Sequence, residues 1–128
     1  AMHGQDCSWY HAAWPMLRAI GVVQGVDGDA AFFHDAIAGL ARRGDRVLVT
    51  AAADHAILAI VLDAYRSRHA EPQVTVVDQC PTALSLNRWY GRWQGARIAT
   101  TLGDIVAFEP GARFDLVTTH SILSFIPA

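Results

Sequence analysis

The chain has no lysine; all ten basic residues are arginines, scattered along 128 residues. Against twelve acids they leave a formal charge of −2, with no basic footprint for nucleic acid. No apolar run is long enough to cross a bilayer, and no signal-peptide pattern is visible, so no membrane partner is expected. There are only two cysteines, Cys7 and Cys80, far apart and without metal-ligand spacing. Two thiols outside any disulfide framework suit a reducing, cytoplasmic setting. His3, His11, His34 and His69 show no ligand spacing either, so no metal is expected. What is present is apolar: 52% of the residues, enough for one small domain with a real core and no disorder.

The organising stretch is residues 46–78. Val47 to Thr50 is a short β-branched run without a polar break, as a strand buried on both faces requires. Leu58, Val61, Leu62 and Tyr65 then recur at three- and four-residue spacing, which puts them on one helical face ending near His69, before Pro72. Val74 to Val77 is a second buried strand, closed by Asp78. Strand, helix and strand make a right-handed parallel crossover, whose ligands sit beyond the carboxyl ends of the strands. Asp78 stands there, either to accept hydrogen bonds from ribose hydroxyls or only to cap the next helix.

Around this unit the chain divides into an N-terminal helical segment, residues 1–44, and an α/β domain, residues 45–128. Ser8 to Gln24 reads as helical but broken, with a short turn and then a helix starting at Pro15. Trp9, Tyr10 and Trp14 form a flap sealing hydrophobic surface, or a lid over a substrate pocket. Gly25 to Gly28 is a loop. Asp29 caps a helix running to about Arg43, with Phe32, Phe33, Ala36, Ile37 and Leu40 as its apolar stripe and Gly44 as its stop. Beyond Asp78, Pro81 opens another helix, with Leu84, Leu86, Tyr90 and Trp93 on its buried side and Gly95 ending it. Arg97 to Thr101 is a short edge strand. Glu109 to Gly111 is a turn, and Phe114 to Thr119 is a fourth, apolar strand.

The alternation implies a Rossmann-like, three-layer parallel sheet of order 3-2-1-4 with N-terminal helices. That order leaves the apolar fourth strand at an open edge. The expectation is that the chain is a fragment, or that a homo-oligomer or partner segment covers this edge.

The succession of motifs resembles the front half of the class I S-adenosylmethionine-dependent methyltransferases, over roughly residues 46–126. Val-Thr-Val-Val-Asp-Gln-Cys-Pro is similar to the family's second motif, which implies ribose binding by Asp78 and adenine contact by Gln79. Leu-Gly-Asp-Ile is similar to the third. It implies that Asp104 accepts from the adenine amino group and that the Ile105 backbone touches the ring. Phe-Asp-Leu-Val-Thr-Thr-His resembles the fourth strand and its exit, which would turn His120 toward the methionine end of the cofactor or the substrate. The first motif departs from the family. Val49 stands where an acid is usual, and Ala51, Ala53 and His55 stand where glycines are usual. Alanine disfavours positive φ and crowds close backbone approach.

Ala51 and Asp54 remain the binding positions of that turn. A dinucleotide would place pyrophosphate there, and Asp54 would repel it. The methyl donor has no phosphate, so Asp54 can take its ammonium group, or can simply cap its helix. His120 is a base near neutral pH or a polar strand end without proton transfer. The resemblance therefore implies a methyltransferase using S-adenosyl-L-methionine on a small-molecule acceptor. The competing reading is a binding or assembly module that has kept the fold and lost the chemistry.

Overall fold

The computed structural model describes residues 7–23, 25–50 and 54–120. In chain order these form α1 (Ser8–Ala19), a 3-10 turn (Val26–Asp29), α2 (Ala30–Leu40), β1 (Arg46–Thr50), α3 (Ala56–Ser67), β2 (Gln73–Asp78), α4 (Pro81–Trp93), β3 (Arg97–Leu102) and β4 (Leu116–Thr119). The strands make one parallel sheet in the order β3-β2-β1-β4, as the alternation of elements predicts. Val47 pairs with both Val74 and Leu116, so the central strand is β-branched where it is most enclosed. Val47, Val49 and Val76 are fully buried, and with Leu58, Val61, Leu62 and Tyr65 of α3 they form the core. The helical face read from the spacing of α3 is therefore the buried one.

Helix ends follow local chemistry. Gly95 takes φ +64° after α4, its amide donates to Arg92 O, and Ala96 N donates to Gly91 O. The same left-handed stop closes α1 at Gly21 (φ +75°) and, without a glycine, closes α3 at His69 (φ +55°). Pro81 occupies the first turn of α4, where its missing N–H costs nothing.

Five expectations about elements are corrected. Pro15 does not start a helix; it lies inside a continuous α1, at the cost of one hydrogen bond of its ladder. The segment expected as a loop after Gly25 is partly a 3-10 turn, Val26–Asp29. Helix α2 stops at Leu40 rather than Arg43, because Ala41 is already extended and Asp45 Oδ2 accepts from Arg42 N in a separate turn. Its stripe is only partly buried. Ile37 is in the core, but Phe32 and Leu40 are 72% and 63% exposed beside β4, the edge strand of the sheet among the described residues. On α4 the buried side is Ala83, Leu84, Asn87 and Gly91, while Trp93 faces solvent. Gly91 is required there, because a Cβ would overlap the Ile98 side chain of β3.

The cysteines are also corrected. Cys7 and Cys80 are joined in a disulfide across 73 residues of sequence, which fastens the start of α1 to the N-cap of α4. Spacing alone could not show this, since the fold brings the two Cα atoms to 6.2 Å. The argument for a reducing cytoplasm from separate thiols therefore falls away. Among the described residues no helix is long and apolar enough to cross a membrane.

Candidate functional site

The carboxyl ends of β2 and β3 are built as a pair. Asp78 and Leu102 are register partners, and Gly103 N donates to Asp78 O at 3.0 Å beyond the last ladder pair. Asp104 therefore leaves β3 beside the point where Asp78 leaves β2. Each acid then folds its own chain back. Asp78 Oδ1 accepts from Cys80 N at 2.8 Å, and Asp104 Oδ1 accepts from Val106 N at 2.9 Å. These are two Asx turns at neighbouring strand tips. Both acids are half-buried, Gln79 is exposed and Ile105 is half-buried. The fold thus brings Asp78, Gln79, Asp104 and Ile105 together at one sheet edge. Through its Asx turn Asp78 holds the amide of Cys80, the N-cap residue of α4.

The turn after β1 is organised from below. Thr50 is buried, and its hydroxyl donates to Thr118 O at 3.5 Å. Ala51, with Ala52 and Ala53, lies outside the described residues. Asp54 is only 4% exposed. Its Oδ1 accepts from Ala56 N at 2.8 Å, which tethers the first turn of α3, and its Oδ2 lies 2.6 Å from Arg18 Nη1 of α1. The backbone is held as well: Asn87 Nδ2 donates to Asp54 O at 3.1 Å and to Ala83 O at 2.8 Å. In this arrangement Asp54 serves the helix start and the guanidinium.

Arg18 and Asn87 are the residues that reading the sequence missed. Asn87 left a signal, a carboxamide in the middle of a helix, where it must find partners or stay costly. Arg18 left none, because its partner is set by tertiary packing alone.

His55 is the N-cap of α3 and stacks on Tyr90 with ring centroids 4.7 Å apart. Its Nδ1 is buried without a hydrogen-bond partner. Burial pushes its pKa below the ordinary histidine value; the Asp54 carboxylate opposes this and the Arg18 charge adds to it. A neutral ring is therefore favoured behind the turn.

His120 follows β4 on the other side of β1 from Asp78, at the same sheet edge, because Thr50 pairs with Thr119 on one side and Val77 on the other. Its Nε2 is 3.6 Å from Asp29 Oδ2, and its ring meets Phe33 edge-on at 6.1 Å. It ties the tip of β4 to the start of α2.

A groove of about 450 Å³ lies elsewhere, between α2, α3 and Tyr90. Its floor is Ala30, Ala31, Ala59 and Ile60, and His34 Nε2 sits 3.0 Å from Asp63 at its rim. It is an open cleft in the helical layer. The strand tips are the better candidate, since convergent acceptors and the carboxyl ends of parallel strands meet there. Among the described residues no three His, Cys, Asp or Glu side chains gather as a metal site.

No family model matches the sequence, and no curated protein matches it. Solved structures do match its backbone. A coclaurine N-methyltransferase bound to N-methylheliamine and SAH superposes with TM-score 0.57 at 18% identity, covering 75% of this chain and 27% of that one. An S-adenosylmethionine-dependent methyltransferase from Clostridium acetobutylicum gives 0.52 at 20% identity, covering 87% of this chain and 42% of that one. A Rhodobacter sphaeroides protein assigned provisionally to the Zn-dependent alcohol dehydrogenases gives 0.52 at 19%, covering 85% and 40%. The chain spans about a quarter to two-fifths of the length of these structures. In backbone, the chain has the β3-β2-β1-β4 core and flanking helices of the Rossmann-like fold that class I methyltransferases share.

Proposed function

We propose that this domain binds S-adenosyl-L-methionine across its strand tips and is the cofactor-holding part of a methyltransferase. One observation carries the reading. Two carboxylates, Asp78 and Asp104, leave adjacent parallel strands side by side, each fixed by its own Asx turn. A nucleoside offers donors at the matching places, ribose hydroxyls for Asp78 and an adenine amino group for Asp104. Gln79 and Ile105 would flank the ring. The set of acceptors therefore fits the nucleoside half of the cofactor.

The methionine half calls for a different arrangement from the one the sequence suggests. Asp54 is committed to Arg18 and Ala56 N, so the turn offers an ammonium group no open carboxylate in this state. Arg18 stands at the same turn, and the carboxylate end of a bound amino acid would compete with Asp54 for its guanidinium. When bound, the cofactor supplies an electrophilic methyl group. The chain's contribution is to hold and orient the donor, which is where much of the gain in methyl transfer lies. We assign the acceptor to small molecules, since a charge of −2 with scattered arginines gives no surface for a nucleic acid. By the family resemblance His120, at the strand edge, would face that acceptor.

The assembly-module reading is favoured by the same Asp54 pairing and by the position of β4 at the edge of the sheet among the described residues. Calorimetric titration separates the two. Binding of S-adenosylmethionine and S-adenosylhomocysteine, with none of NAD, supports the cofactor reading. Binding of none of the three supports the module.

A further inference from the structure

Asn87 is fully buried in the middle of α4, and it spends only one end of its carboxamide. Nδ2 donates twice, to Asp54 O and to Ala83 O. Two carbonyl acceptors fix which end is nitrogen, since an oxygen could not take its place there. Among the described residues Oδ1, at the other end, has no hydrogen-bond partner. A buried acceptor left unspent weakens the fold, and a leucine would fill nearly the same volume without one. Ala83 O is already served by the helix ladder of α4. What the carboxamide adds is the bond to Asp54 O.

That bond joins two strand tips through one helix. Asp54 is where the turn after β1 meets α3. Helix α4 begins at the tip of β2, where Asp78 Oδ1 accepts from the amide of its N-cap residue Cys80. Gly91, one turn beyond Asn87, lies so close to Ile98 of β3 that a Cβ would overlap it. The helix is thus fixed to β2 at its start and to β3 near its end, and Asn87 refers the β1 turn to that frame. A trans peptide points its C=O and N–H in opposite directions. Holding Asp54 O against α4 therefore also fixes the His55 amide, which points away from α4.

Strand order sets where this pin falls along the ligand, a step that rests on the proposed function. With adenine at Asp104 beyond β3 and ribose at Asp78 on β2, the chain leaving the ribose continues in the same direction, to β1. Thr50 pairs with Val77, so the β1 turn begins beside Asp78. We propose that Asn87 is a positioning residue for the amino-acid half of the cofactor. By holding Asp54 O it sets the backbone of the turn against which this half lies. Its loss should weaken the grip on that half and leave the nucleoside half, at Asp78 and Asp104, untouched.

Calorimetric titration of the full chain with S-adenosylhomocysteine and with methylthioadenosine, which lacks the amino-acid half, tests this. The wild type should bind both. Asn87→Leu, shown to be folded by circular dichroism, should bind S-adenosylhomocysteine about tenfold or more weakly and methylthioadenosine within about twofold of the wild type. Equal loss of both ligands would make Asn87 a structural residue of the whole domain and overturns the proposal, as does no loss of either. A measurement on the wild type serves if Asn87→Leu does not fold. The side-chain amide signals of Asn87 in an NMR spectrum should move at saturating S-adenosylhomocysteine and stay in place at saturating methylthioadenosine. Signals that move alike with both, or with neither, overturn it. A wild type that binds neither ligand removes the cofactor reading and this proposal with it. Binding of both, with an unchanged preference in Asn87→Leu, overturns this proposal alone.

Discussion

Arg18 Nη1 lies 2.6 Å from Asp54 Oδ2 and joins a helix outside the core to the turn that leaves the central strand. Asp54 is nearly inaccessible, so the pair matters more for what its loss would leave behind than for its own net attraction. Arg18→Gln strands a buried carboxylate and should cost about 3 kcal/mol of unfolding free energy. Adding Asp54→Asn should restore most of that loss. Urea denaturation of the wild type, both single variants and the double variant measures the coupling; additive effects would mean that the two groups do not act as a pair.

Stability should depend on pH through His55. Its folded-state pKa lies below the ordinary value of 6.5 because the ring is buried, so protonation favours the unfolded chain. This contribution is intact above pH 6.5 and is lost progressively as the pH falls below it, toward the lowered folded-state value. The urea midpoint should therefore fall between pH 7.5 and 5.5, conditions chosen to bracket this window at about one pH unit either side. His55→Phe, which keeps a ring against Tyr90, should flatten that part of the profile. An equal fall in both proteins would assign the effect to other groups.

Gly91 tests the packing of α4 on the sheet. A methyl group there collides with Ile98, so Gly91→Ala should destabilise by about 1–3 kcal/mol despite alanine's better helix propensity. Ile98→Ala removes the Cγ1 that the methyl would strike, so Gly91→Ala should cost less in that background. A stabilised Gly91→Ala variant would show that α4 sits farther from β3.

The sheet was legible because its signals are local. Val47 to Thr50 and Val74 to Val77 are β-branched runs, and the three- and four-residue spacing in α3 marks the face that packs on them. The placement of Asp78 and Asp104 at neighbouring strand tips was legible for the same reason, since Asp78 ends β2 and Asp104 follows β3 by two residues, and the order of the strands follows from the alternation. What escaped depends on contacts distant in sequence. The Cys7–Cys80 bridge and the Arg18–Asp54 pair span 73 and 36 residues (54 − 18 = 36) and leave no periodic trace. Phe32, Leu40 and Trp93 misled because an apolar side chain at helical spacing looks the same whether or not its face is covered.

The measurement that bears most directly on the central claim is a residue-resolved amide spectrum of the chain titrated with S-adenosylhomocysteine. The account predicts shifts concentrated at the tips of β2 and β3, at Asp78, Gln79, Gly103, Asp104 and Ile105, reduced in Asp78→Ala. Shifts confined to the groove of Ala30, Ala59 and Tyr90, or no shifts at saturating ligand, would contradict it.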